Sequence, residues 1–499
     1  MSATGAYASF GGSVIYANIY IFTFIIYVFF SVFQFFLVIS QSEKQMTLMI
    51  KHIKLKKGLD LRLQGEAPQR IKEALSPTGI FSVMPADFYG FKPKPVVKPG
   101  DHVLVGSPLL INKEVPSLQV TSPVSGTVSA VVRGERRKLL SVDIEADGHQ
   151  QCKAFDIPSA PNAMTSDAVK SLLLESGLFA FMRQRPYDIV ANPNDTPKGI
   201  FISLFSKMPL AQDFAFTLKG EERNLQAGIA ALSKIATVTI GVSPEQEDCI
   251  AALLPNANIY VFSGPNPAGN VGVHINHIAP VNKGEVVWTM GAEEVLFVGR
   301  LLTDGKVDMT RTIAIAGAEV KEPTYQKTVI GAPLAALLEG NLQRTEHIRI
   351  INGNPLVGTR TDINGHLSAR ATEVTVIPEG DDKNEVLGWM MPRFKDFSTS
   401  RSYFSWLQGK RRQYNLDARI KGGERHIIMS GEYDRYLPMD IYGGYLIKAI
   451  LAGDLDRMEA LGIYEVAPED FAVAEFADSS KLELQRIVRE GLDLLRKEE

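Results

Sequence analysis

The chain has 499 residues, of which 45% are hydrophobic and 22% charged, with a formal net charge of −3. That length holds about three domains, and the near-neutral balance gives no electrostatic reason to expect nucleic acid, which usually needs a basic domain or stripe. Two cysteines, Cys152 and Cys249, are too few for the four thiolates of an ordinary iron–sulfur cluster or for a disulfide framework, and both read as small buried side chains in a reducing compartment.

Residues 14–39 form an apolar run with only Asn18 and Gln34 strongly polar. As a helix it would span roughly 39 Å, more than a bilayer core of about 30 Å. It lacks the basic leader and small-residue cleavage site of a secretory signal. Two readings remain: a single membrane anchor, whose following lysines would keep the body cytoplasmic, or upstream sequence read as protein through a misplaced start. The working chain then begins near Met49, and residues 1–48 are an extension.

From Met49 a strand, "MIKHIKL", leads into residues 96–148, short β-branched runs broken by Pro-Gly, Gly-Ser and Ser-Gly turns. The paired segments "VKPGDHVLVGSPLL" and "VTSPVSGTVSAVV" match the halves of a biotinyl/lipoyl-like barrel, with Gly100, Gly106 and Gly126 at positions expected to need φ > 0. No Met-Lys-Met surrounds Lys113, so a structural barrel without a swinging arm is expected. Residues 165–182 carry Val169, Leu172, Leu173 and Leu178 at helical spacing, with Thr165 or Ser166 as cap. Strands and helices then alternate to about residue 310, the order of a Rossmann-like α/β layer with a parallel sheet. Residues 311–384 return to strands with one helical stretch, a β-grasp-like order. The C-terminal "LELQRIVREGLDLLRKEE" puts Leu484, Ile487, Val488, Leu492 and Leu495 on one helical face. The expected class is α/β plus β. A barrel-sandwich domain (49–155) precedes the Rossmann-like domain (156–310), a β-grasp-like domain of soluble-ligand-binding type (311–384) and a mixed, helical C-terminal region (385–499).

Two segments bear on chemistry. "SGLFAFMRQRPYDIV" (176–190) reads as a helix running into Arg183, Arg185 and Pro186, either presenting cations to a ligand or ending in solvent. "FSGPNPAGNVGVHINHIAPVN" (262–282) reads as a Gly/Pro-shaped loop. Its His274 and His277 lack the acid or thiol that would complete a metal set. No P-loop, Gly-x-Gly-x-x-Gly or Gly-x-Ser-x-Gly pattern occurs, so the α/β layer has no glycine cradle for a dinucleotide pyrophosphate.

The succession of those two segments with "IKLKKGLDLRLQG", "VIGAPL", "GEYDRYLPMDI" and "LAGDLDRMEALG" resembles the A subunit of the Na⁺-translocating NADH:quinone oxidoreductases, from about Met49 to the C-terminus. The resemblance implies a peripheral subunit on the cytoplasmic face of the bacterial inner membrane. Its partners would be the five other subunits, B to F, chiefly the membrane-embedded B subunit, in a complex that oxidises NADH, reduces ubiquinone and exports Na⁺. NADH, flavins and iron centres would lie on other subunits, with no cofactor and no metal bound here and no catalytic residue. The family is also similar to FMN-binding relatives, but Leu178, Phe179, Ala180, Phe181 and Met182 stand where those have a glycine-rich turn. Ala474 and Asp478 stand where other members carry cysteines. On this reading Arg183, Arg185, Pro186, Tyr187, Phe88 and Tyr89 are candidates for contacting a quinone head group, with Pro265, Pro267, Gly269 and His274 as a lining loop. The alternative is a docking subunit that carries no ligand.

Overall fold

The computed structural model describes residues 50–72, 76–157, 164–255, 257–383, 385, 393–399, 401, 403–409, 412–428 and 431–498. The apolar run at 14–39, and both readings of it, lie outside the described residues. Among the described residues no helix is long and apolar enough to cross a membrane.

The β-branched runs after Met49 fold as expected into small antiparallel sheets. One orders its strands Ile80–Val83, Leu139–Ala146, Gly126–Arg133 and His102–Val103; the other orders Pro93–Pro95, Pro108–Asn112 and Gln119–Thr121. Gly100 and Gly106 have φ of +93° and +85°. Gly126 does not need positive φ: a Cβ there would lie 2.1 Å from Glu145 O, so close strand approach is the reason for glycine.

A seven-stranded sheet follows, in the order Lys51–Lys54, Asn258–Ser263, Val238–Val242, Ile200–Ser203, Val287–Thr289, Arg183–Arg185, Ile189–Val190. Its middle is parallel and its Arg183–Arg185 edge antiparallel. The helix at 165–182 is shorter than the spacing predicts. It runs Ser166–Glu175, capped by the Thr165 hydroxyl accepting from Ala168 N. The chain turns at Gly177 (φ +77°), where a Cβ would meet Thr121 at 2.7 Å, and Leu178–Phe181 form a separate, fully buried 3₁₀ turn. Arg183 to Arg185 are therefore strand and not helix end. Residues 271–278 also depart from expectation. The Gly/Pro loop ends at Asn270 and a helix, Val271–Ile278, carries both histidines.

The helices Glu222–Ile235 and Ala292–Asp304 cross through Gly228 and Gly299. A Cβ on Gly299 would sit 1.8 Å from Asn224 O, and one on Gly228 2.4 Å from Val295 O. Alanine in a helix interior ordinarily gains about 1 kcal/mol over glycine. Here Gly299→Ala is expected instead to lower stability by about 1–3 kcal/mol, because rigid backbone must move aside. Urea unfolding checks this, and a stabilised variant would refute it.

The last sheet orders Thr359–Thr361, Ile348–Asn352, Glu373–Pro378, Thr310–Ala316, Thr324–Val329, Ile71–Lys72. The last helix, Leu484–Glu498, buries Leu484, Ile487, Val488, Leu492 and Leu495, the face the sequence predicts. That face joins a core shared with Phe205, Phe262 and Val273, so the C-terminal region packs on the α/β layer. Ala474 is buried in this region, and Asp478 accepts from Ser480 N and Leu482 N. Of the two cysteines, which are unpaired, Cys152 is half-buried but Cys249 is exposed, contrary to its expected burial.

Candidate functional site

The strand Arg183–Arg185 puts its two arginines on one face, as a period of two requires. Gln184 turns the other way and accepts from Asn192 N. Arg185 is 1% exposed. Its Nη1 donates to Asp470 Oδ2 at 3.0 Å and its Nη2 to Glu469 Oε1 at 2.9 Å, while Nε lies 3.8 Å from Asp188 Oδ1. Arg183 pairs with Asp188 from the rim. Arg489, on the C-terminal helix, reaches the same carboxylate at 3.1 Å and donates to Tyr187 O at 2.6 Å. Burial alone would raise the Asp188 carboxyl, but the guanidinium groups of Arg183, Arg185 and Arg489 outweigh it and hold the carboxyl below its ordinary range. Glu469 is pushed upward by burial despite Arg185.

Over this network opens a cavity of about 570 Å³. Its wall draws on the barrel's turn at Asp87 and Tyr89, on Arg183 and Asp188, and on Glu469. The last sheet adds Asn352, Asn354, Arg370 and Glu373, and the last helix adds Arg489. Tyr89 lies under the Arg489 guanidinium, 4.2 Å from its carbon to the ring centroid, and donates to Asp493 Oδ2 at 2.5 Å. Burial and that carboxylate push the phenol up to about 12, so it stays protonated at neutral pH. Arg370 donates to Phe181 O at 2.8 Å and forms no ion pair among the described residues. Burial, with Arg183 nearby, pulls its guanidinium down to about 10. Asp87 accepts from Ser368 Oγ and Ala369 N at 2.7 Å, tying the barrel to the last sheet, and burial raises its carboxyl. The cavity thus offers guanidinium and amide donors, a set suited to neutral or anionic oxygen acceptors, while the Tyr89 phenol, its one proton given to Asp493, contributes its ring to the wall.

Of the residues expected at a quinone site, Tyr89 and Arg183 meet in this wall. Arg185 is locked beneath it. Phe88 is 1% exposed and packs edge-on against Phe181, 5.5 Å between ring centroids. Pro186 and Tyr187 form the turn after Arg185, with Tyr187 at φ +74°. Pro265, Pro267, Gly269 and His274 are not in the cavity wall. A Cβ on Gly269 would lie 2.8 Å from Phe205 O. His274 stacks on Phe262, 4.0 Å between centroids, and its Nε2 bonds Ala268 O at 2.9 Å. Burial pushes its imidazole down to about 4, which leaves it neutral. Asn270, from the same loop, donates to Glu469 O and braces the acidic pair from behind. Sequence reasoning missed Arg370, Arg489 and Glu469, which come from distant segments with no local signature.

Among the described residues no cluster of three His, Cys, Asp or Glu side chains is arranged to hold a metal. Leu178–Phe181 points into the core, with Phe179 edge-on to Trp288 at 5.4 Å and Phe181 to Phe297 at 5.7 Å.

Family models match three stretches: the NqrA N-terminal barrel-sandwich hybrid domain at residues 53–147, the NqrA second alpha/beta domain at 164–307, and the NQRA C-terminal domain at 312–362. Curated relatives named as the A subunit of Na(+)-translocating NADH-quinone reductase include that of Yersinia pestis bv. Antiqua (strain Angola), 34% identical over 450 residues, and that of Pasteurella multocida (strain Pm70), 33% identical over 449. Each match covers 89% of this chain and all of the relative. Among solved structures, an air-oxidised NAD+-reducing [NiFe]-hydrogenase aligns with a TM-score of 0.33 at 14% identity, over 44% of this chain and 47% of that one. The domain matches and the full-length similarity show that the chain belongs to the NqrA family, the A subunits of Na(+)-translocating NADH-quinone reductase.

Proposed function

We propose that this chain serves as the peripheral, cofactor-free subunit of a six-subunit complex that oxidises NADH, reduces ubiquinone to ubiquinol and exports Na⁺. It sits on the cytoplasmic face of the inner membrane against the membrane-embedded B subunit, with flavins and iron centres on the other subunits. Within it the last sheet is β-grasp-like, of the soluble-ligand-binding type, and domain borders fall near residues 155, 310 and 384. The chain contributes to the quinone site through the cavity over Asp188.

The observation that carries this reading is the meeting of Tyr89 and Arg183 in one cavity wall beside Arg370. A quinone carbonyl needs hydrogen-bond donors. Arg183 keeps N–H groups free of its bond to Asp188, and Arg370 has, among the described residues, a single accepting partner, a backbone carbonyl. Arg185, Pro186, Tyr187 and Phe88 hold that wall in place and need not touch the ligand. Photo-crosslinking of the assembled complex with a quinone analogue is expected to label this chain. Arg183→Ala and Arg370→Ala are each expected to raise the KM for quinone about tenfold, the worth of a charge-assisted hydrogen bond, with NADH oxidation by an artificial acceptor unchanged. Labelling confined to other subunits, together with wild-type quinone turnover in both variants, would leave a purely structural docking role.

A further inference from the structure

Residues 393–428 hold nine Lys or Arg against three Asp or Glu, a net charge of +6 within a chain whose total is −3. Part of that charge is internally spent: Arg393, Arg419 and Lys421 pair with Glu385, Asp396 and Asp417. Lys395, Arg401 and Arg412 form no ion pair among the described residues, and the first two are exposed.

The 3₁₀ turn Phe404–Gln408 stands amid this charge. Phe404, Trp406 and Leu407 are 47%, 48% and 62% exposed, while Ser405 between them is buried. Phe394, 51% exposed, lays its ring 5.7 Å from that of Phe404, and the Arg401 guanidinium caps the Trp406 ring at 5.9 Å. The result is a contiguous apolar tip collared by unpaired cations. Clustered exposed apolar side chains mark an interaction surface.

We propose that this tip rests on an anionic membrane, with Phe394, Phe404, Trp406 and Leu407 at the headgroup level and Lys395 and Arg401 on lipid phosphates. Trp rings settle at that depth, and surface basic residues are drawn to anionic headgroups. The composition favours lipid over an acidic protein face, because protein interface cores are depleted in Lys, whereas this tip has Lys395 beside Phe394. The inference concerns a surface other than the cavity and does not rest on the quinone reading.

The test follows Trp406 in the full chain carrying Trp389→Phe, where Trp288 remains but is fully buried. Residues 14–39 are common to every variant, so membrane binding by that run cannot separate them. Vesicles of phosphatidylcholine with phosphatidylglycerol are expected to shift Trp406 emission to the blue, and bromine on the acyl chains to quench it; pure phosphatidylcholine should do neither. Lys395→Glu with Arg401→Glu is expected to weaken the response about tenfold or more, at roughly 1 kcal/mol per basic residue, with an unchanged melting midpoint. An equal response to neutral vesicles, or an unchanged response in the double variant, would overturn the proposal. In the assembled complex in brominated anionic nanodiscs, Trp406 should again be quenched. A Trp406 that is unquenched yet shielded from aqueous acrylamide would mean a protein covers the tip, and would overturn it too.

Discussion

Arg185→Ala is expected to lower the stability of the chain by about 3–5 kcal/mol, the cost of leaving buried charges without their partner. Arg185 is 1% exposed, and its side chain is the point where Asp188, Glu469 and Asp470 converge. Without it, Asp470 and Glu469 lose their guanidinium, while Asp188 keeps those of Arg183 and Arg489. Asp470 is itself 1% exposed and, among the described residues, would keep only Ala467 N as donor. Glu469, whose side chain is 30% exposed, can recover some hydration. The bond spans 285 residues of sequence, so it fastens the C-terminal region to the second-to-last strand of the large sheet. The same loss should therefore expose the C-terminal region to limited proteolysis before the rest unfolds. Arg183→Ala is the internal contrast. Its side chain is 27% exposed, and Asp188 would retain Arg185 and Arg489, so its cost should stay nearer about 1 kcal/mol. Urea unfolding of both variants decides the matter. An Arg185→Ala protein within about 1 kcal/mol of wild type would show that these carboxylates do not need their guanidinium.

That contrast also explains what was and was not legible in the sequence. Local signals worked where local energetics decide the outcome. Thr165 caps its helix, and the Leu484 to Leu495 face is buried, because capping and amphipathic periodicity act within a few turns. They failed where distant partners decide. Nothing in "MRQRPYDI" marks a strand: Arg183 pairs with nearby Asp188, but Arg185 is accommodated by Glu469 and Asp470 from far along the chain. The Gly/Pro content of residues 262–282 reads as a loop, yet Gly272 lies in a helix, where a Cβ would sit 2.4 Å from Asp470 Oδ2. The glycine is needed for that close approach, and packing overrides its low helix propensity. The cavity shows the same division. Arg183 stands in a segment that carries the family resemblance, and Tyr89 lies outside those segments. Arg370 and Arg489 are ordinary surface-type residues in the sequence and become site residues only through the packing of the last sheet and the last helix.

Glu293→Gln is expected to flatten the pH dependence of stability between about pH 4.5 and 7. Glu293 is 3% exposed, in the first turn of the buried helix Ala292–Asp304. Its Oε1 accepts from Thr312 N at 3.2 Å, and Oε2 lies 3.5 Å from Arg311 Nε without a hydrogen bond. Arg311 instead donates to Glu294 at 2.9 Å and to Ala371 O at 2.8 Å. Burial pushes the Glu293 carboxyl up to about 7; Arg311 opposes the rise and Glu294 adds to it. An acid whose pKa is higher in the folded state binds a proton on folding, so its contribution is full below the unfolded value of 4.5, declines through the window and is lost above about 7. The whole change is on the order of 3 kcal/mol at about 1.36 kcal/mol per unit. Glutamine mimics the neutral acid at every pH, so the variant should lose this slope and outlast wild type at pH 8. Glu373, Asp87 and Glu469 are shifted in the same direction and remain in both proteins, so the difference between the two curves isolates Glu293. The slope is the test and the offset is not, because a buried amide must also place two N–H donors. Parallel stability curves from urea titrations at pH 5 to 8 would mean that Arg311 holds Glu293 ionised across the range, and that burial does not govern this carboxyl.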